Sequence, residues 1–465
     1  MNWNYNEEKM KIRVFLAVAA CKLSRNILRL LGKGATSLPG KIARKVYPDL
    51  LGYLAKDVTT IIVTGTNGKT TTSRMLEQTM KNEGLSFFCN KSGANLMDGI
   101  TAEFAINSTI FGKNKCNYAL IESDEAAFKQ VSKHVDAKCV LVTNLFRDQL
   151  DRYGEITHTL NNIKIGIANS HHATVCLNGD CSMTASIGEG IENPILFYGV
   201  NEPIYQERVK EASDAPYCIH CKHEYVYDYI TFGHLGKYHC PNCGYRRPDP
   251  DVFVSKVLVS DANHSEIEIK GKDFACTGVI NLPGGYNIYN GVSAMAVAVA
   301  MGFKTDSAVA ALSDFECGFG RMEKFMLGET ETRMILIKNP AGCNQVLNFL
   351  SNLTEKAVFV ICLNDNFADG RDISWIWDVD FETLQRIEDK LEGIYVSGIR
   401  ADDMAMRLKY AGIERQKIQV IKDYNQLIDA FTGQEHPVYI MPTYTAMMDL
   451  RGIVSKKFGY KNFWE

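Results

Sequence analysis

Four groups of residues in this 465-residue sequence have side-chain types and spacing suited to chemistry. The first is Gly65-Thr66-Asn67-Gly68-Lys69-Thr70-Thr71, which follows the β-branched run Thr60-Ile61-Ile62-Val63 and precedes a helical stretch from Thr72. Glycines let backbone N–H groups wrap phosphate oxygens, a lysine answers the β/γ-phosphate charge, and a hydroxyl at a helix start can hold Mg²⁺. The loop is one residue shorter than the general G-x-x-x-x-G-K-[ST] pattern. Strand, loop, Lys-Thr-Thr and helix nevertheless come in the right order, so the expectation is an ATP site built on Thr66, Asn67, Gly68, Lys69, Thr70 and Thr71. The second group is Cys218-x-x-Cys221 and Cys240-x-x-Cys243. Two such pairs at this separation predict a structural Zn²⁺ site, because four thiolates close a tetrahedron and leave no open position. His220 and His239 are neighbouring competitors, and an all-cysteine set is the simpler assignment. The third is the acidic run Glu122-Ser123-Asp124-Glu125. The fourth is the segment from Leu363 to Asp378, with Asp369, Asp372, Asp378, Trp375 and Trp377. Taken alone it reads equally well as a solvated acidic turn ahead of a buried Trp pair.

The elements that must position these groups follow from the texture of the chain. From Asp57, short β-branched runs (Thr59 to Val63, Tyr118 to Glu122, Val140 to Thr143) alternate with helical patterns, which predicts a doubly wound parallel α/β sheet. Between 214 and 250 the Cys, His, Tyr and Pro content rises and the rhythm stops, marking a small insertion; the β/α rhythm is then expected to resume. From about 326 a further set of strands (334–337, 357–363, 393–396, 418–421 and 438–441) predicts a second, smaller α/β domain. The expected organisation is a basic helical segment over 1–56, a central ATP-binding domain over 57–325 with the ribbon insertion at 214–250, and a C-terminal domain over 326–465.

Composition excludes several classes. Hydrophobic residues at 46% and charged residues at 23% are ordinary for a folded globular chain. A net charge of −3 offers no global attraction to nucleic acid, and the mixed charge of the insertion argues against a nucleic-acid ribbon. The 14 cysteines, four of them in C-x-x-C pairs, fit a reducing compartment better than a disulfide framework. No apolar run reaches the 18 residues of a membrane span. Val18-Ala19-Ala20-Cys21 looks like a lipoprotein cleavage site, yet the apolar positions from Ile12 to Leu31 keep helical spacing straight through it, so a structural amphipathic helix is expected. Residues 1–56 carry 11 Lys/Arg against 3 acids. The plain reading is a solvated basic face; the sharper one is attraction of a cytoplasmic protein to an anionic membrane surface or a phosphorylated lipid.

The motifs also resemble a known family. T-G-T-N-G-K-T-T is similar to the phosphate loop of the Mur ligase and folylpolyglutamate synthase superfamily, and further stations follow in its order. Glu122-Ser123-Asp124-Glu125 stands like the segment whose Glu binds Mg²⁺. Thr143-Asn144-Leu145 with Arg147-Asp148-Gln149-Leu150-Asp151 resembles T-N-x-x-x-D-H-L-D, with Gln149 in the His position. Leu177-Asn178-Gly179-Asp180 resembles L-N-x-D. Asn287 and Asn290 fall in the segment near the nucleotide base, and Arg321 in a G-R-x-E station whose Arg reaches phosphate. The resemblance implies ATP and Mg²⁺ as cofactors, Mg²⁺ on Thr70 and Glu122, and activation of a carboxylate as an acyl phosphate for attack by an amine. Ligases that add an amino acid show D-D-Y-A-H-x-P in the third domain; here stands Lys338-Asn339-Pro340-Ala341-Gly342-Cys343-Asn344. That segment, the Asn364-to-Ile376 loop, the four-cysteine insertion and the run 33–45 resemble the MurT branch of the superfamily, the synthetase subunits of lipid II isoglutaminyl synthases. This implies amidation of the α-carboxylate of D-Glu in the lipid II stem peptide, with ammonia from a separate GatD-type glutaminase. It also implies that one Asp of the G-R-D step, Asp372, completes the partner's Cys-His site, with Asp369 and Asp378 as alternatives. The competing expectations are an amino-acid-adding ligase and a non-enzymatic zinc-ribbon nucleotide-binding protein.

Overall fold

The computed structural model describes residues 2–31, 36–90, 94–148, 156–204, 213–261, 263–315 and 321–460, with the side chains of 2–7 and of Arg321 outside the description. Helices α1 (Asn2–Leu30), α2 (Leu38–Val46) and α3 (Leu50–Ala55) lead into β1 (Thr59–Thr64), α4 (Lys69–Asn82), β2 (Phe87–Cys89), α5 (Met97–Ile106), β3 (Tyr118–Glu122), α6 (Glu125–Val131), β4 (Ala137–Val142), α7 (Ile156–Asn169), β5 (Thr174–Asn178), α8 (Ser182–Ala185) and β6 (Ile195–Val200). The helix α1 runs unbroken through Val18 to Cys21, as the helical spacing predicts, but the face it buries is Val14, Ala17, Val18 and Cys21, whereas Ile12, Leu16, Leu23, Ile27 and Leu30 of the periodic apolar set are exposed.

The hairpin β7 (Val226–Phe232) and β8 (Leu235–His239) forms its own two-stranded sheet within the insertion. Three strands follow, β9 (Val252–Ser260), β10 (Ser265–Lys270) and β11 (Ala275–Ile280), and then α9 (Gly285–Met301) and α10 (Thr305–Asp314). The first sheet has the order β11-β10-β9-β6-β5-β4-β1-β3-β2. Pairing is parallel from β2 to β9 and antiparallel for β9-β10-β11. The expected return of the β/α rhythm after the insertion is therefore corrected: a meander closes this edge. Its physical basis is visible in β10, where Ile267 and Ile269 are buried and alternate with half-exposed Glu266 and Glu268. Alternation of this kind suits an antiparallel strand with one wet face, whereas β1 and β4 are buried almost throughout.

The second sheet is built from β12 (Arg321–Leu327), β13 (Thr330–Ile335), α11 (Pro340–Leu350), β14 (Ala357–Cys362), β15 (Leu391–Ser397), α12 (Ala401–Tyr410), β16 (Ile418–Val420), α13 (Tyr424–Phe431), β17 (Val438–Pro442) and α14 (Tyr444–Phe458). Its order is β12-β13-β17-β14-β15-β16. The strand β12 already belongs to this sheet from Arg321, so the turn from one sheet to the other precedes residue 326. A β-bulge interrupts it between Arg321 and Glu323, with Met322 at φ 62°.

Candidate active site

Strand order places the phosphate loop. β1 lies between β3 and β4, so the chain turns to opposite sides of β1 and leaves a crevice at its carboxyl end. The loop 65–68 fills that crevice and hands over to α4 at Lys69. Gly68 has φ 87°, and a Cβ there would lie 2.2 Å from Asn290 Oδ1. Only glycine fits that approach. The end of β4 clamps the loop: the Thr66 amide donates to the Asn144 carbonyl (2.9 Å), the Asn67 amide to Asn144 Oδ1 (2.9 Å), and Asn144 Nδ2 to the Asn67 carbonyl (3.1 Å).

Lys69 is buried, donating to the Gly65 and Thr66 carbonyls and to Glu125 Oε1 at 3.1 Å. Burial pushes the Glu125 carboxyl up against the opposing pull of Lys69. The acidic run by itself gives Glu125 no role of its own; the sequence signal for it is its place three residues after Glu122, at the first turn of α6. Thr70 Oγ1 donates to Glu122 Oε2 at 3.0 Å. Two oxygens sharing an octahedral Mg²⁺ at 2.0–2.1 Å stand about 2.9 Å apart, so this pair fits the cation.

Asn67, Gly68, Thr71, Asn287 and Asn290 line one cleft, together with Tyr286, Met322, Gly342 and Gln345. Asn290 Nδ2 donates to Asn287 Oδ1 (2.9 Å), and Thr72 and Ser293 hold the same region of α4 against α9. The cleft lies between the two sheets. From the second-sheet side, Asn339 caps α11 and donates to Asn67 Oδ1 (3.1 Å), and Lys338 Nζ lies 2.5 Å from Asp148 Oδ2. In sequence Lys338 and Asn339 mark only a departure from the amino-acid-binding motif; in the fold they touch the phosphate-loop face. The Arg321 side chain and residues 149–155 lie outside the described residues. Glu323, of the same G-R-x-E station, pairs with Arg451 (2.7 Å).

Asp180 of the L-N-x-D station has a different place. It is fully buried, contacting Arg247 Nε at 2.5 Å, Tyr289 OH at 2.6 Å and the Val200 amide at 2.9 Å. It ties the base of the insertion to α9 and does not line the cleft. Within the insertion, the Sγ atoms of Cys218, Cys221, Cys240 and Cys243 lie within 4.8 Å of one another. The pairs Cys218–Cys243 and Cys221–Cys240 are 3.5 and 3.4 Å apart. A tetrahedron with Zn–S of 2.3 Å has S···S edges of about 3.8 Å, so the four sulfurs fit Zn²⁺. The two knuckles match in detail: Lys222 (φ 63°) and Gly244 (φ 76°) occupy the same left-handed position after each pair. His220 and His239 face Glu189 and Asp228, and neither belongs to the sulfur cluster.

Asp372 does not line the cleft. It sits on the loop after β14, exposed, and one carboxylate oxygen accepts from the Ser374 amide (2.8 Å). Asp369, three residues earlier, is buried and accepts from the Thr445 amide (2.7 Å), the Thr445 hydroxyl (2.5 Å) and the Asn366 amide (3.2 Å). Asp378 is exposed beside Trp377, over which the Arg407 guanidinium lies at 5.5 Å.

This architecture, a phosphate loop at a switch point facing a second α/β sheet across a cleft, defines a Mur-type ATP-dependent ligase. The Mur ligase middle domain matches residues 63–244, and the MurT ligase C-terminal domain matches residues 336–447. The pseudomurein peptide ligase type C of Methanothermus fervidus shares the fold with a TM-score of 0.65 and 21% identity, over 88% of this chain and 80% of that one. MurF ligase of Thermotoga maritima, solved in complex with ADP, does so with a TM-score of 0.59 and 14% identity, over 91% and 84%. The chain belongs to the MurT family: it is 34% identical to the lipid II isoglutaminyl synthase (glutamine-hydrolyzing) subunit MurT of Streptococcus pneumoniae, over 96% of this chain and 98% of that protein. The Staphylococcus aureus (strain COL) subunit of the same name is also 34% identical, over 96% and 99%.

Proposed function

We propose that this chain is the synthetase subunit of a lipid II isoglutaminyl synthase, converting the α-carboxylate of stem-peptide D-Glu to an amide through an acyl phosphate. The carrying observation is near-full-length similarity to MurT subunits together with an intact phosphate loop whose Lys69, Thr70 and Glu122 converge at one crevice. Thr66 to Thr71 and α4 would bind the ATP phosphates, with Lys69 swinging from Glu125 to the β/γ oxygens. Mg²⁺ held by Thr70 and Glu122 would neutralise phosphate charge. Asn287 and Asn290 would face the base, and Arg321 is assigned to the phosphate by its motif. The middle body, from residue 57 to the end of α10, would then hold the nucleotide, and the C-terminal body, which begins with β12 at Arg321, would meet it across the cleft through Lys338 and Asn339. Positioning and electrostatic stabilisation are what such a site contributes to in-line transfer.

Ammonia would come from a GatD-type glutaminase. Asp369 spends its oxygens on Thr445 and Asn366, whereas exposed Asp372 keeps an oxygen for a partner's His, which supports Asp372 as the carboxylate that completes the Cys-His site. Zn²⁺ on Cys218, Cys221, Cys240 and Cys243 would be structural, since a closed thiolate shell offers no reactive position. The test is reconstitution with a glutaminase, lipid II, ATP and glutamine, with amidated product followed by mass spectrometry. Product with glutamine or ammonia supports the reading; product with a free amino acid as nucleophile, and none with ammonia, makes the chain an amino-acid-adding ligase.

A further inference from the structure

Helix α1 has two apolar faces. Val14, Ala17, Val18 and Cys21 are buried in the core. On the nearly opposite face stand Ile12, Leu16, Leu23, Ile27 and Leu30, within an arc of about 60° at 3.6 residues per turn. All five are exposed, Leu23 at 64% and Leu30 at 87%. Exposed Lys9 and Arg13 follow one edge of this stripe; on the other side exposed Lys11 and Arg29 flank it further round the helix, beyond Phe15, with exposed Glu8 between. The loop between α5 and β3 extends it: Phe111, 72% exposed, lies 5.8 Å from Phe15 by ring centroids, next to exposed Ile110 and Lys113.

A solvated basic face accounts for the cations but not for a continuous apolar stripe between them. A second copy of the chain would cover the leucines, yet a two-fold pairing of this face would bring its two basic rims together. An anionic bilayer answers both features, taking the apolar residues at the acyl boundary and the cations at the headgroups. No described helix is long and apolar enough to cross a membrane, so the geometry is in-plane. We propose that α1 and the Ile110–Lys113 loop form a docking surface for an anionic lipid bilayer. The inference deepens the proposed function, because a lipid-linked substrate would be met at that surface, but it is measurable without substrate.

The test is cosedimentation of the full chain, without ATP or lipid II, with vesicles of phosphatidylcholine alone or mixed with phosphatidylglycerol. Binding to the anionic vesicles is expected, weakened by salt and at least ~10-fold poorer on neutral ones. The double variant Leu23→Glu/Ile27→Glu should bind at least ~10-fold more weakly, with unchanged circular dichroism because both side chains are exposed. Should that variant misfold, Arg13→Gln/Arg29→Gln replaces it, and loss of the preference for anionic vesicles is then expected. Absence of binding by the parent, or equal binding by parent and folded variants, overturns the proposal. A parent dimer that Leu23→Glu/Ile27→Glu dissociates, without vesicle binding, also overturns it and assigns the face to a second copy. Amidation of a water-soluble stem peptide should be equal in parent and variant; its failure in both would count against the proposed function and leave the vesicle result standing.

Discussion

Replacing Lys69 with alanine should do two separable things. Lys69 and Glu125 are paired at 3.1 Å with side chains only 9% exposed each, so removal of the cation leaves a carboxylate buried without its partner. Breaking a buried pair from one side typically costs ~3–5 kcal/mol, and protonation of Glu125 lowers that cost when pH permits. The carboxyl is already raised above its ordinary 4.5 by burial, and loss of Lys69 removes the largest of the influences that oppose it. A raised carboxyl binds more protons in the folded than in the unfolded state, so the variant loses stability as pH rises above about 4.5 toward the folded value. Its deficit against the parent should therefore grow between mildly acidic and alkaline pH. Adding Glu125→Gln should recover most of the stability, since no buried charge remains. It should not recover catalysis, because the phosphate has lost its cation, a loss expected at ~10²-fold or more in rate. The assay is urea unfolding across pH for parent, both single variants and the double, beside ATP-dependent amidation. A Lys69→Ala protein as stable as the parent at alkaline pH would refute the pairing argument, and near-parent amidation by the double variant would refute the phosphate role.

Zinc should be present at one ion per chain in protein purified without chelator. Cys240→Ser should lose it and lower the protease resistance of the insertion while nucleotide still binds; protein with no zinc would refute the site. Asp372→Asn should abolish glutamine-driven amidation while complex formation persists, with a loss of ~10⁴-fold by analogy with a triad whose carboxylate was neutralised. Concentrated ammonia at alkaline pH should restore product. Full glutaminase activity of the Asp372→Asn complex would overturn the role, and loss with Asp378→Asn instead would relocate it.

Local pattern determined much of this protein. The loop after Val63, the paired C-x-x-C motifs and the helical spacing through Val18-Ala19-Ala20-Cys21 are short-range features, and a strand–loop–helix turn, a four-sulfur cluster and an unbroken helix form there, although packing decided which face of α1 is buried. Backbone conformation and side-chain periodicity are set over a few residues, so one sequence carries them openly. Tertiary structure alone decided which distant groups meet. Glu125 turns to Lys69 across 56 positions, Asn144 clamps Asn67 across 77, and Lys338 reaches Asp148 across 190. Those pairs depend on β1 lying between β3 and β4 and on one sheet facing the other, which is strand order and not periodicity. The same holds for Asp369 and Asp372: as sequence they are two acids three positions apart. The register that sets β17 beside β14 brings Thr445 to Asp369, burying one carboxylate in hydrogen bonds and leaving the other in water. The antiparallel edge β9-β10-β11 was legible in alternation at Ile267 and Ile269, but which sheet it joined was fixed only by its pairing with β6.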